Sequence, residues 1–143
     1  MTKKEAVLMA LAAANGAHYQ PVQIQKLMFL LDRKIPESFG GPIFSFQAYD
    51  YGPFDKTVYD TIEELTSEGL AKAVCRPGCN WSEYGATVGG QEAGQAILSS
   101  LPDPISAYIR ELSAWVRTLS FRELVGAIYR AYPEMKINSV FSE

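Results

Sequence analysis

Between residues 69 and 90 a strong helical period stops, two short strand-like runs take its place, and helical periodicity then resumes. Gly69 supplies the left-handed position that commonly follows a helix. Leu70-Ala71-Lys72-Ala73-Val74 reads as a strand, Arg76-Pro77-Gly78-Cys79-Asn80 carries turn residues, and Trp81 to Val88 reads as the returning half of a ribbon. Gly89-Gly90 introduces a helix from about Gln91 to Ser99. The rest of the chain must therefore be arranged around one small β-hairpin.

Upstream, Lys3 to Ala14 predicts a first helix with a broad apolar surface, closed by Asn15-Gly16. Pro21 suits the first turn of a second helix, because it has no N–H to leave unpaired. Val22, Ile24, Leu27, Met28, Leu30 and Leu31 recur at spacings of three and four, which turns Gln23, Lys26, Asp32 and Arg33 toward water. Ile43 to Tyr49 alternates as an edge strand or extended brace. After the Gly52-Pro53 break, a third helix runs from Phe54 to Ser67, with Phe54, Val58, Ile62 and Leu65 inward. Downstream, one helix carries Ile105, Ile109, Leu112 and Val116. A last one carries Phe121, Leu124, Val125 and Ile128, with Ser120 and Glu123 at capping-box spacing. Ile137, Val140 and Phe141 predict a tail that packs back on the body.

Three helices, a ribbon and further helices give a mainly α fold with a small β-hairpin. The expected architecture is a winged helix-turn-helix-like core over 1–100 with a helical extension over 101–143, in a single domain. A chain of 143 residues that is 48% hydrophobic can bury a core without staples. No apolar run approaches the roughly 20 residues a membrane span needs. Two cysteines without a preceding signal-type segment point to a cytoplasmic chain with free thiols.

Two segments carry a resemblance. Gln25-Lys26-Leu27-Met28-Phe29-Leu30-Leu31-Asp32, together with Tyr51-Gly52-Pro53-Phe54-Asp55-Lys56-Thr57-Val58-Tyr59, is similar to the Panacea domain of SocA-type and prophage-associated bacterial antitoxins, and to related YwgA-like small bacterial proteins. The resemblance covers roughly Ile24 to Ala96. It implies a winged-helix-like fold and, for the antitoxin branch, a protein partner that is a toxin or a protease.

In a winged helix-turn-helix the third helix would read DNA. Here five acids against one base between Pro53 and Glu68 leave a local charge of -4, and the helix has no Arg, Asn or Gln for a purine edge. DNA binding through this face is therefore not expected. The alternative of a transcriptional regulator rests on Lys56, Lys72 and Arg76. The preferred reading is a non-enzymatic protein-interaction module, antitoxin- or adaptor-like. Its partner-binding residues are Tyr49, Tyr51, Asp55, Tyr59 and Glu63, with aromatic anchors beside an acidic helix that selects a basic partner.

Catalytic chemistry finds little support. His18 is the only histidine, and nothing links it to a nucleophile. The Cys75 and Cys79 pair lacks the imidazoles a zinc site would recruit, so no metal or cofactor is expected. Gly85, Gly89 and Gly90 lack the Gly-Lys-Ser/Thr ending of a phosphate loop. Trp115, Phe121 and Tyr129 fit equally a closed core or the seam of a homodimer.

Overall fold

Thr2 opens the first helix with a reciprocal cap: its Oγ1 accepts from the Glu5 N–H at 3.1 Å, and its own N–H donates to Glu5 Oε1 at 3.0 Å. The computed structural model describes residues 1–75, 77–78 and 80–141. In chain order the elements are α1 (Lys3–Ala13), α2 (Pro21–Lys34), β1 (Gln47–Tyr49), β2 (Gly52–Phe54), α3 (Lys56–Ser67), β3 (Ala71–Cys75), β4 (Ser82–Ala86), α4 (Val88–Ser100), α5 (Asp103–Thr118) and α6 (Phe121–Ala131). Short 3-10 turns occupy Pro36–Phe39 and Pro133–Lys136. The architecture is mainly helical, with two small antiparallel hairpins, β1–β2 and β3–β4.

α1 is the hub, buried at every position from Ala6 to Ala13. Its small side chains let α4 approach closely. A Cβ on Gly94 would fall 2.5 Å from Ala12 Cβ and 2.6 Å from the Leu8 carbonyl oxygen.

α2 is equally enclosed, which corrects the sequence expectation. Gln23, Lys26 and Asp32 are buried, and only Arg33 of the four residues expected in water is exposed. Apolar residues at 22, 24 and 27–31 cover more than one stripe, so the helix runs through the interior, touching α1, α5, α6 and β2. Its buried polar side chains Gln25, Lys26 and Asp32 bond backbone groups of the segment between α2 and α3. Asp32 accepts from the Ile43 and Phe44 N–H groups at 3.1 and 2.8 Å, and burial raises its pKa against the lowering effect of those bonds.

The ribbon lies where expected: Ala71 pairs with Ala86 and Cys75 with Ser82 at its two ends. Arg76 and Cys79, in the turn, lie outside the described residues. Tyr19, in the α1–α2 link, exchanges two backbone hydrogen bonds with Tyr84 of β4 at 2.8 Å, adding a one-residue third strand. Its hydroxyl donates to the Ala10 carbonyl at 2.6 Å and meets Ser113 Oγ at 2.5 Å. One buried phenol thus ties the ribbon to α1 and α5, and burial pushes its pKa up to about 12.

Two helix starts differ from expectation. α3 begins at Lys56 rather than Phe54, because Gly52 and Pro53 belong to β2 and Asp55 is the N-cap. Phe54 leaves the inner face, which Val58, Thr61, Ile62 and Leu65 form. α4 begins at Val88 because Thr87 Oγ1 accepts from the Gly90 N–H at 3.0 Å, which places the glycine pair inside the first turn.

Residues beyond 100 share the same core: Ile109, Val116, Leu124 and Ile128 join the cluster built by α1, α2 and α3. The Ser120–Glu123 capping box is present. The tail returns to the body through the Phe141 ring, 5.8 Å from that of Phe121 and 6.3 Å from that of Tyr129, and otherwise by polar contacts. Asn138 Nδ2 donates to the Ala48 carbonyl at 3.1 Å and the Val140 N–H to the Asp50 carbonyl at 3.0 Å, while the Tyr129 hydroxyl donates to Ser139 at 2.6 Å. Ile137 and Val140 remain 82% and 69% exposed, because this pairing leaves their side chains facing outward. Among the described residues no helix is long and apolar enough to cross a membrane.

Candidate functional site

The two motif segments meet in space. Gln25, on α2, holds the residue before α3 with both ends of its amide: Nε2 donates to the Asp55 carbonyl at 2.9 Å and Oε1 accepts from the Asp55 N–H at 3.1 Å. Next to it, Lys26 Nζ donates to the Pro53 carbonyl at 3.0 Å. A side-chain amide and an ammonium thus fasten the β1–β2 hairpin and the start of α3 to α2.

The hairpin has a tight geometry. Tyr49 pairs with Gly52, so Asp50 and Tyr51 form its turn. Gly52 takes φ +98°, which L side chains avoid, and a Cβ there would stand 3.3 Å from Tyr129 Cε1 and 3.7 Å from Lys26 Cε. The turn consequently presents Tyr49 and Tyr51 outward, 56% and 46% exposed. Tyr49 stacks on Phe54 at 5.4 Å between ring centroids, and Tyr51 meets Phe121 of α6 edge-on at 5.1 Å.

Below these rings is a cavity of about 310 Å³, walled by Pro21, Val22 and Gln25 of α2, the hairpin, Tyr59 and Phe121, with Lys26 on its lining. Lys26 is only 3% exposed, and desolvation brings its pKa from 10.5 down to about 8. A second, almost wholly apolar cleft of about 340 Å³ adjoins it across Pro21, Val22 and Phe121, and is completed by Gln20 and the exposed Trp81. Four exposed aromatics, Tyr49, Tyr51, Trp81 and Phe121, therefore rim two connected hollows.

The residues expected to bind a partner divide between this face and other roles. Tyr49 and Tyr51 lie on it. Tyr59 is half-buried in the cavity wall, its hydroxyl donating to the Pro21 carbonyl at 3.2 Å, and burial pushes its pKa up to about 12. Asp55 is buried and fully engaged, which corrects its expected outward position. Its carboxylate accepts from the Thr57 N–H at 2.8 Å, the Thr57 hydroxyl at 2.7 Å and the Ser45 N–H at 2.8 Å. Burial works to raise its pKa, but those bonds outweigh it and hold the carboxyl below its ordinary value.

Glu63 is exposed, but it faces another cleft, with Ile62, Thr66, Ala73, Ser82 and Tyr84, that shares only Tyr59 with the Lys26 cavity. The acidity of α3 is also partly neutralised. Lys4 of α1 lies 3.5 Å from Glu64 and 2.5 Å from Glu68, and Lys56 lies 3.7 Å from Asp60. Lys56 remains 79% exposed despite that surface pair, Lys72 is exposed on β3, and Arg76 lies outside the described residues.

Sequence reasoning missed Lys26, Val22, Trp81 and Phe121 as parts of one face. The readable signal was in α2, where apolar residues on all sides require its polar residues to be buried and bonded. Nothing local in the sequence brings Trp81 and Phe121 beside Tyr51. Among the described residues no group of three or more His, Cys, Asp or Glu is placed to hold a metal ion, and Cys79 lies outside them. No protein-family model matches this chain, and no curated protein matches it.

Proposed function

We propose that this chain is a non-enzymatic protein-interaction module, adaptor- or antitoxin-like, that docks a protein partner through the face formed by Tyr49, Tyr51, Trp81 and Phe121. The observation that carries the reading is the grouping of four exposed aromatics from the hairpin turn, the ribbon and α6 around two adjoining hollows. Large, stiff aromatic side chains around desolvated pockets are what interface hot spots are made of. The docking face is centred on the hairpin and α6; the acidic residues of α3 lie to one side of it. Toxin or protease as the partner class follows from the motif resemblance alone.

A winged-helix-like core over 1–100 is part of the same proposal, supported by the order of helices and ribbon and by the strand-like Tyr19–Tyr84 bridge. The chain departs from that plan between its second and third helices. A helix-turn-helix uses a turn of about 3–4 residues there, whereas residues 35–55 here form a 3-10 turn and a hairpin.

The test is affinity capture from the source organism with the wild-type chain and with Tyr51→Ala/Phe121→Ala. Both side chains are substantially exposed, and because the variant loses the Tyr51–Phe121 ring contact its fold is checked by circular dichroism and urea unfolding. The wild type is expected to retain a defined partner that the variant loses; recovery of the same proteins in the same amounts by both would sink the docking assignment. In parallel, random duplex DNA at about 0.15 M salt is expected to show no binding, and a salt-dependent micromolar Kd would favour the regulator instead.

A further inference from the structure

We propose that the cavity lined by Lys26 is a carboxylate-binding pocket that receives the C-terminal residue of a partner polypeptide. The inference rests on the docking face described above and names the chemistry that face selects.

The Lys26 ammonium has three donors, and among the described residues its one acceptor is the neutral Pro53 carbonyl. Its pKa is lowered by burial, and no carboxylate offsets that effect. A cation held this way gains most from an anion that arrives with its own apolar surroundings, because a charge-assisted bond in a dry site is stronger than one in water. The cavity supplies the place: about 310 Å³ against Lys26, with Pro21, Tyr51 and Phe121 as apolar wall.

Those walls distinguish a chain terminus from an internal acid. A terminal residue offers its carboxylate and an apolar side chain on the same Cα, and the chain leaves in one direction only. An internal Asp or Glu brings peptide groups on both sides, whose N–H and C=O would be desolvated against aromatic rings with few partners. Asp50, exposed on the same lining, opposes every acid on the incoming chain and so admits only the one carboxylate that Lys26 can hold. The favoured ligand is therefore a polypeptide ending in an apolar or aromatic residue, with neutral or basic residues before it.

The probe is a pool of N-acetylated octapeptides with the last four positions randomised, made once as free acids and once as C-terminal amides. Each is passed over the immobilised full chain and the bound fraction is sequenced. The free acids are expected to be retained about ten-fold or more over the amides, the gain of one charge-assisted bond, with apolar residues enriched at the last position. Lys26→Met is expected to erase that ratio while circular dichroism stays unchanged. Asp50→Lys, which leaves the buried site intact, is expected to increase retention of the free acids.

Equal retention of acids and amides would overturn the proposal. So would an undiminished ratio in Lys26→Met, or preferential capture of amides with an internal Glu or Asp. The docking face fails separately: if Lys26→Met loses the acid preference of the pool while Tyr51→Ala/Phe121→Ala still holds the natural partner, the pocket stands and the face does not. If the natural partner needs Tyr51 and Phe121 but is indifferent to Lys26, the face stands and the pocket does not.

Discussion

Replacing Lys26 by methionine removes a buried ammonium and keeps a side chain of similar reach, which makes the cost of that charge measurable. Desolvation lowers the folded-state pKa from 10.5 to about 8. Below pH 8 the lysine is charged in both states, so the fold carries the full penalty, about 3 kcal/mol at roughly 1.4 kcal/mol per pKa unit. Between pH 8 and 10.5 the folded state has released the proton while the unfolded chain still holds it, and stability rises with pH. Above that range both forms are neutral and the penalty is gone.

Methionine avoids the penalty but leaves the Pro53 carbonyl without its donor, a loss of about 1–2 kcal/mol. The variant should therefore be more stable than wild type by about 1–2 kcal/mol at pH 7, with the two curves crossing between about pH 9 and 10. The other titratable groups lining the cavity, Asp50, Tyr49, Tyr51 and Tyr59, are present in both proteins. Tyr19 and Tyr59, raised to about 12, weaken both folds above pH 10, which sets the upper limit of the comparison. The assay is urea unfolding followed by circular dichroism at intervals from pH 7 to 10. A stability difference that stays constant within about 0.5 kcal/mol, or that grows in favour of methionine with pH, would refute the desolvation argument.

Four further substitutions test the frame around the site and the packing of α4. Gly52→Ala places a methyl 3.3 Å from Tyr129 at φ +98° and should cost about 1–3 kcal/mol in urea unfolding, with the Tyr49 and Tyr51 side-chain NMR signals shifted. Asp55→Ala removes the α3 cap and the Ser45 anchor and should cost about 1–2 kcal/mol at neutral pH. Because the folded pKa of Asp55 is depressed, its stabilisation is present above the unfolded value and lost as pH falls through the folded one, so the deficit should shrink as pH drops below the ordinary carboxylate range. Gly90→Ala drives a Cβ to 1.8 Å from the Leu70 carbonyl oxygen and should cost about 3 kcal/mol or more. Gly89→Ala, whose nearest neighbours stand at 4.0 Å, should be neutral or stabilising by up to about 1 kcal/mol, and equal losses at 89 and 90 would contradict the packing described for α4.

The helices and the ribbon were legible because their signals are local: period at Val58, Ile62 and Leu65, the Gly69 stop, the Ser120–Glu123 box. The β1–β2 hairpin was not, because its strands are three residues each and one holds Gly52-Pro53, a dipeptide that usually breaks structure. What holds it is remote: Gln25 and Lys26 from α2, Tyr129 from α6 and the returning tail. Asp55 was misread for a related reason. A carboxylate two residues before a threonine looks the same in sequence whether it faces water or caps a helix, and only the Ser45 N–H arriving from the segment before β1 decides. The tyrosines of the turn were recognisable as a cluster, but the face they belong to needed Trp81 and Phe121, thirty and seventy residues downstream of Tyr51.

That same hairpin bears on which kind of partner the proposed face can take. In a DNA-reading helix the first turn supplies the side chains that reach base edges. In α3 two of those positions are engaged: Asp55 and Thr57 bond each other and Lys3 of α1 donates to Thr57 Oγ1 at 3.1 Å, while Lys56, 79% exposed, makes only a surface pair with Asp60. The hairpin, meanwhile, is fixed to α2 by Lys26, with Gln25 holding the adjoining Asp55, and to α6 by the Tyr51–Phe121 contact, while Tyr49 stacks on Phe54, so both tyrosines are held in place before any partner arrives. A binding surface ordered in advance loses little conformational entropy on docking. The burial of Lys26 that costs stability in the free chain thus sits in the residue that both anchors the hairpin and lines its pocket, which is why its removal should separate stability from binding: a more stable fold at neutral pH and a weaker grip on an acidic chain end.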